Sequence, residues 1–235
     1  QSLKFDINEN SFVKISYKDY SKHINKYESI LNNTFLQQEL PIYKDKHITA
    51  TYTNSFNSTS SLSLIYQNEN NTKLYSFPYY SGTLPAVNQN YIIGEKTFLW
   101  SSPRISRLSS LFDYKLNNHL LLLGLEYIYE SYSSFNIFAT DGDILVESIF
   151  GEDTTKAMSE ISTFLLDNFK YNDIEFTTGV RFNYHSNHKF RASPSFSVMK
   201  PSHVYTYRFN YSQSYRIPSL KELYYDFENH GGGFP

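Results

Sequence analysis

Strict alternation of apolar and polar side chains over long runs is the feature that most constrains the fold of this chain. In Ile174–His185, one parity carries Ile, Phe, Thr, Val, Phe and Tyr, and the other carries Glu, Thr, Gly, Arg, Asn and His. In His203–Arg216, tyrosines and a phenylalanine share one parity, whereas Thr, Arg, Asn and Ser share the other. A period of two residues is that of a β-strand with one apolar and one polar face.

The length of these runs indicates a membrane rather than an aqueous environment. Both runs exceed the ~5–6 residues that are usual for strands of globular proteins. They reach the ~9–11 residues that a tilted strand needs to cross a bilayer. The longest apolar run, around Leu120–Leu125, is far shorter than the ~18 residues of a membrane helix. If this chain spans a membrane, it therefore does so with strands.

The same pattern predicts about ten strands along the chain. They are Leu3–Ile7, Phe12–Tyr20, His47–Ser55, Leu62–Gln67, Leu108–Leu116, Leu121–Tyr129, Met158–Phe169, Ile174–His185, Arg191–Met199 and His203–Arg216. Short connections alternate with long ones at Ser21–Lys46, Asn68–Ser102 and Tyr132–Lys156, as in membrane barrels that have tight turns on one side and long loops on the other. Ser186–Phe190 is the sole short connection on the loop side. The fold predicted for residues 1–235 is therefore all-β, part of an antiparallel transmembrane β-barrel.

Composition supports this fold and excludes several classes of function. The 235 residues include 22 Tyr and 19 Phe but no Cys, and the net charge is −2. Rings with polar tips suit a surface that meets both lipid and water. The absence of a basic stripe argues against a nucleic-acid partner, and the absence of cysteine excludes thiolate metal sites. Motifs for a nucleophile elbow, a zinc protease or a phosphate-binding loop are also absent, so no enzyme activity and no cofactor are predicted.

Five stretches resemble motifs of one protein family. Ser214–Tyr225, with the sequence SYRIPSLKELYY, resembles the "FRAP-SLKELY" box of TonB-dependent outer-membrane receptors. Gly179–Phe182, Ser193–Ser197 and Lys200-Pro201 are similar to the family's "GLRYD … SPRLSLSYKP" strands, and Gly124–Tyr127 is similar to an earlier barrel strand. The resemblance is dense over residues 157–235 and thin over residues 1–110.

This resemblance implies a 22-strand barrel that encloses an N-terminal plug domain. The chain would be the middle of that barrel, without the plug and the last strands, and we expect both of its ends to be cuts in a longer protein. Such receptors lie among the lipids of the outer membrane of Gram-negative bacteria. They import scarce nutrients with energy from the TonB complex, which acts through the plug. The expected cargo is a ferric siderophore or haem first, and cobalamin or a glycan second.

Two residues of the box are candidate ligand contacts. Placed at the outer end of a strand, Arg216 would face the lumen and hold an anionic ligand or the plug, with Tyr215 beside it. In the structural alternative, Tyr215 belongs to an aromatic girdle and Pro218 ends the strand, because proline has no N–H for the ladder.

Two further candidates lie in predicted loops. The resemblance implies that an axial histidine of haem receptors lies just past the box, which makes His230 a candidate haem ligand, and neutral imidazole is a good ligand for iron. His230 could equally be an ordinary loop histidine beside a glycine run. The aromatic cluster Phe77, Tyr79 and Tyr80 could stack on a sugar or a porphyrin, or pack its own loop.

Two other classes of protein stay open on the sequence alone. A passive porin or another outer-membrane barrel would share the strand pattern but would have no plug segment upstream. A secreted, soluble β-sheet protein that binds carbohydrate would instead show short strands with aliphatic inner faces.

Overall fold

The computed structural model describes residues 1–24, 40–80, 92–134 and 154–224, and within them ten strands and one short helix. The elements are β1 (Ser2–Asn8), β2 (Ser11–His23), β3 (Leu40–Asn57), β4 (Ser60–Tyr80), β5 (Ile92–Leu116), β6 (His119–Ser134), β7 (Thr154–Tyr171), β8 (Ile174–His185), β9 (Lys189–Pro201), β10 (Thr206–Ser212) and α1 (Leu220–Tyr224).

The strands form one sheet in which each strand pairs with its neighbour in sequence. The order is β1 to β10 without a crossover, and every pairing is antiparallel. Such a meander places successive connections alternately at the two ends of the strands. The turns β1–β2, β3–β4, β5–β6, β7–β8 and β9–β10 therefore lie at one end of the sheet. The connections β2–β3, β4–β5 and β6–β7 lie at the other end, together with the short β8–β9 turn.

Asparagine side chains and backbones shape the short turns. Asn117 and Asn172 have φ values of 53°, in the left-handed region that Asn tolerates better than most residues. In the β3–β4 turn, the Oδ1 atom of Asn57 accepts a 2.8 Å hydrogen bond from the backbone N–H of Thr59. Asn8 accepts a similar 2.9 Å bond from the backbone of Asn10. These local bonds hold the hairpins in register.

The two faces of the sheet differ sharply in chemistry. Large apolar side chains such as Leu3, Leu108, Leu125, Tyr184 and Phe209 lie exposed on one face, which we call the apolar face. Among the described residues, only Tyr132, Met158 and Leu220 are buried hydrophobic side chains. An apolar surface of this extent, with none of the described segments packed over it, matches a sheet whose outer solvent is lipid.

Serine, threonine and asparagine side chains line much of the opposite, polar face. Several of them bond across neighbouring strands: Thr177 donates to Asn168 at 2.7 Å, and Ser197 donates to Asn210 at 2.6 Å. Cross-strand polar pairs of this kind stabilise a sheet where its face is wet. No helix among the described residues has the length and hydropathy needed to cross a bilayer.

The predicted strand count and pattern are confirmed, but several strand bounds were wrong. β3, β4 and β5 reach far into the regions predicted as long connections, because backbone pairing between β4 and β5 continues as far as Tyr80 and Ile92. Conversely, β10 ends at Ser212, well before the predicted end at Arg216. There the chain leaves the sheet and forms α1, a helix that the sequence pattern did not predict.

Candidate functional site

Glu126 is the centre of an ion-pair network on the polar face. Its Oε1 atom accepts a 2.5 Å hydrogen bond from Nη2 of Arg181 on β8, and its Oε2 atom lies 3.5 Å from Nε of Arg107 on β5. Arg181 also donates to Ser162 at 2.7 Å, and Ser109 donates to Glu126 at 3.3 Å. The Arg107 contact is an ion pair without a directed hydrogen bond at Nε. The network therefore joins four neighbouring strands, β5 to β8.

A glycine makes the position of Arg181 possible. A Cβ atom at Gly124 would lie 2.2 Å from Cζ of Phe164, so the aromatic ring occupies the space that any other residue would need. The guanidinium carbon of Arg181 lies 5.6 Å from the centre of the same ring. This cation–π contact and the Glu126 ion pair hold Arg181 from two sides. Close packing of the Phe164 ring against the backbone therefore explains why glycine occupies position 124 in the Gly124–Tyr127 motif.

A second group of polar residues lies further along the same face. Glu160 accepts a hydrogen bond from the amide of Asn183, which is buried. His185 is also buried, and its Nδ1 atom accepts bonds from the backbone N–H groups of Asn187 at 3.0 Å and His188 at 3.3 Å. These two bonds hold the β8–β9 turn against His185. Because Nδ1 accepts both bonds, the neutral imidazole carries its hydrogen on Nε2.

A cavity of about 170 Å³ lies between these groups and the chain that follows β10. The residues that line it include Glu130, Glu160, His185, Met158 and Ile217. The side chain of Glu130 forms no hydrogen bond or ion pair with any described residue. Within the described ranges, no three His, Cys, Asp or Glu side chains are close enough together to hold a metal ion.

The segment after β10 folds back over the polar face as far as β6 and β7. Leu220 is 3% exposed and packs against Tyr132 and Met158, with Tyr224 at the edge of this cluster. The ammonium group of Lys156 lies 5.0 Å from the centre of the Tyr224 ring. Packing of this apolar side chain explains why the chain leaves the sheet after Ser212.

A capping box begins α1. The backbone N–H of Ser219 donates to Oε2 of Glu222 at 2.8 Å, and the backbone N–H of Glu222 donates to Oγ of Ser219 at 3.3 Å. Arg216 donates to the other oxygen of Glu222. The hydrogen bonds from Ser219, with a smaller contribution from Arg216, lower the pKa of the Glu222 carboxyl. The SLKE sequence of the box is thus a helix start.

Tyr215 and Arg216 lie outside the sheet, which corrects their predicted position at the end of a strand. Tyr215 is half-buried on the polar side and does not belong to an aromatic girdle. Burial raises the pKa of the Tyr215 phenol, and the charge of Glu160 raises it further, whereas Arg181 and Arg191 lower it. Arg216 is exposed and paired with Glu222.

The other predicted site residues are not brought together with this network. Phe77, Tyr79 and Tyr80 lie in β4, paired with Lys96, Gly94 and Ile92, which corrects the prediction of a loop. Only their backbone is described. His230 lies outside the described residues. Sequence reasoning missed Arg107, Glu130, Glu160 and Asn183 as site residues.

Comparison with known proteins then places the chain. A family model described as "TonB dependent receptor-like, beta-barrel" matches residues 4–235. The chain belongs to this TonB-dependent receptor family. No curated protein shows a significant match to the sequence.

Solved structures of two siderophore receptors and an outer membrane transporter share the fold at low identity. A mutant of the ferric enterobactin receptor PfeA from Pseudomonas aeruginosa aligns with a TM-score of 0.67 at 16% identity, over 94% of this chain and 33% of that one. The siderophore receptor PirA from Acinetobacter baumannii aligns with a TM-score of 0.66 at 15% identity, over 92% of this chain and 33% of PirA. The outer membrane transporter YddB from Escherichia coli aligns with a TM-score of 0.58 at 13% identity, over 85% of this chain and 28% of YddB. The chain therefore spans about a third of the length of these receptors.

The barrel fold assigns the two faces of the sheet. In barrels of the outer membrane, the apolar face meets lipid and the polar face lines the lumen, while short turns face the periplasm and long connections face outward. The Glu126 network, the cavity and the segment Tyr215–Tyr224 are therefore luminal. The soluble β-sheet alternative is excluded, because the family model covers nearly the whole chain.

Proposed function

We propose that the full-length protein is an outer-membrane receptor that binds a scarce nutrient and imports it with energy from the TonB complex. The match to the TonB-dependent receptor family over residues 4–235 carries this proposal. The proposed location is the outer membrane of a Gram-negative bacterium, and the TonB complex acts through a plug domain. No step of this process needs catalysis by the barrel. We propose a ferric siderophore or haem as cargo, ahead of cobalamin or a glycan.

The segment after β10 supports a role in binding. Arg216 is exposed on the luminal side, and its single partner among the described residues is the exposed carboxylate of Glu222. An exposed ion pair of this kind has little net stability, so a bound anion can compete for the guanidinium at small cost. We propose that Arg216 and Tyr215 contact an anionic cargo. Phe77 and Tyr79, which share one parity of β4, are proposed to stack on the cargo, whereas Tyr80 has the opposite parity.

Transport by the full-length receptor tests the function. Cells that express it as their only receptor should accumulate radiolabelled ferric siderophore or haem when TonB is intact and lose this uptake when TonB is deleted. Equal uptake in both strains would contradict the proposal and identify a passive pore instead.

Haem titration of the purified receptor decides between the cargo classes. A shifted Soret band that disappears in His230→Ala but persists in His203→Ala would establish haem as the ligand and His230 as its axial residue. His203 is the matched control because it lies in the periplasmic β9–β10 turn. If the Soret band does not shift, haem is excluded, and ferric siderophores are tested by fluorescence quenching.

A charge substitution tests the role of Arg216. We expect Arg216→Gln to weaken binding of an anionic chelate by roughly tenfold, because a charge-assisted hydrogen bond is lost from a partly exposed site. Lys200→Gln, an exposed position near the periplasmic end of β9, is the matched control and should leave the affinity unchanged. Equal affinities of the two variants would remove Arg216 from the binding site.

A further inference from the structure

Three cations lie on the lipid-facing side of the sheet at its outer end. On β3 this face carries Tyr52, Ala50 and Ile48, and the next two side chains on the same parity are Lys46 and Lys44. On β5 the same face carries Arg104. All three side chains are exposed. Within the described part of the chain, none of them forms an ion pair or a hydrogen bond.

The strand register brings these cations together around one polar group. Lys46 and Arg104 are both paired with Asn70, on the strand between them, so their backbones lie roughly 10 Å apart. Lys44 is paired with Thr72. We call Lys44, Lys46, Arg104 and Asn70 the outer cationic patch.

Hydrogen bonds fix the centre of the outer cationic patch. Asn70 Oδ1 accepts from Thr72 at 3.3 Å and from Ser102 at 3.2 Å, and the two hydroxyls lie 3.2 Å apart. The amide nitrogen of Asn70 donates to no described residue. The centre of the patch therefore presents N–H donors between two flanking cations, an arrangement that suits a phosphate.

The patch begins where the apolar band ends. Tyr17 and Ile48 are paired in the ladder row just below it, and Tyr66 and Leu108 are paired one row lower. These four side chains are all exposed to the lipid side. Successive side chains on one face of a strand are roughly 7 Å apart, so the cations stand one and two steps above the apolar band. This is the level of lipid headgroups rather than of acyl chains.

One carboxylate shares the ladder rows of the patch. Asp19 is paired with Lys46, but its Oδ2 atom accepts a 2.8 Å hydrogen bond from the hydroxyl of Tyr17. Asp19 and Lys46 form no ion pair. The patch therefore keeps a positive excess, with an acidic residue at one edge that weakens anion binding.

We propose that the outer cationic patch binds the phosphate groups of a phosphorylated lipid in the outer leaflet of the membrane around the barrel. Charge complementarity and the direct continuity with the lipid-facing band support a lipid as the occupant. The inference rests on the outer-membrane location proposed above. It concerns the outside of the barrel and is independent of the cargo.

Binding of diphosphoryl lipid A to the full-length receptor in detergent, measured by native mass spectrometry, tests the proposal. A cation near an anionic surface contributes about fivefold in affinity, so replacing all three should weaken binding about 100-fold. The test variant is Lys44→Gln/Lys46→Gln/Arg104→Gln. The control is Lys14→Gln/Lys18→Gln/Lys22→Gln, which removes the same charge from the luminal face of β2. The control should bind like the native receptor.

Two further arms identify the ligand chemistry. Lipid A without phosphates should bind the native receptor as weakly as the triple variant does, and Asp19→Asn should bind diphosphoryl lipid A several-fold more tightly. The proposal is overturned if the triple variant keeps native affinity, if the luminal control loses as much, or if dephosphorylated lipid binds equally. It is also overturned if inorganic phosphate competes at equal concentration, since the site would then select free anions. Cargo uptake by the same variants is measured separately, so failure of lipid binding and failure of import are distinguishable.

Discussion

Replacing Gly124 with alanine tests the packing that holds Arg181. The new Cβ atom would lie 2.2 Å from Cζ of Phe164, whereas carbon atoms in favourable contact lie about 3.5–4.0 Å apart. The ring must therefore move by roughly 1.3 Å or more, and it can no longer support the guanidinium of Arg181, now 5.6 Å from its centre. We expect a loss of about 2–3 kcal/mol in the free energy of unfolding, from overpacking and the weakened cation–π contact.

Equilibrium unfolding by urea in phospholipid vesicles, followed by circular dichroism on the full-length receptor, measures this loss. Gly179→Ala is the graded control, because its Cβ atom would meet the hydroxyl of Ser195 at 2.9 Å, a milder clash. Its cost should be smaller than that of Gly124→Ala.

A double-mutant cycle with Phe164→Ala separates packing from backbone effects. If the clash with the ring is the cause, the two substitutions together cost less than the sum of each alone, with a coupling of about 1–3 kcal/mol. Additivity within ~0.5 kcal/mol would refute this explanation of the glycine.

Three further predictions address the turns, the ion-pair network and the capping box. Asn117→Ala should destabilise the barrel by about 1 kcal/mol in urea unfolding, whereas Asn117→Gly should not, because φ is 53° there. In the same assay, Glu126→Gln should lower the free energy of unfolding by about 1–2 kcal/mol, a value that allows for the partial exposure of its arginine partners. The control Glu175→Gln, at an exposed position, should lower it by less than ~0.5 kcal/mol. Because the pKa of Glu222 is lowered in the folded protein, its contribution is present above the ordinary carboxyl pKa and is lost as the pH falls through the lowered value. A spin label attached at Leu223→Cys should therefore become mobile only in acid. In the same labelled protein that also carries Glu222→Gln, the label should already be mobile at neutral pH. Equal mobility of the label in both proteins at neutral pH would contradict the role of the capping box.

The sequence by itself determined the class of fold, the strand count and the face on which most side chains lie. Successive side chains of a strand point to opposite faces of the sheet. The face on which a residue lies can therefore be predicted from the apolar or polar character of its neighbours in sequence, without knowledge of distant contacts. The alternation in Ile174–His185 therefore predicted both the lipid face and the polar face that carries Arg181. The motifs at Gly124–Tyr127 and Ser214–Tyr225 predicted the family, which the family match confirmed.

Only the tertiary structure decided which residues meet across strands and where strands end. Glu126 and Arg181 are separated by 55 positions, and their contact depends on the register of two hairpins. The ends of β4 and β10 depend on competition between ladder hydrogen bonds and packing elsewhere. β4 continues because β5 pairs with it to Tyr80, and β10 stops because Leu220 is buried against Tyr132 and Met158. Such a balance involves residues from distant parts of the chain, and a pattern with a period of two contains no information about it.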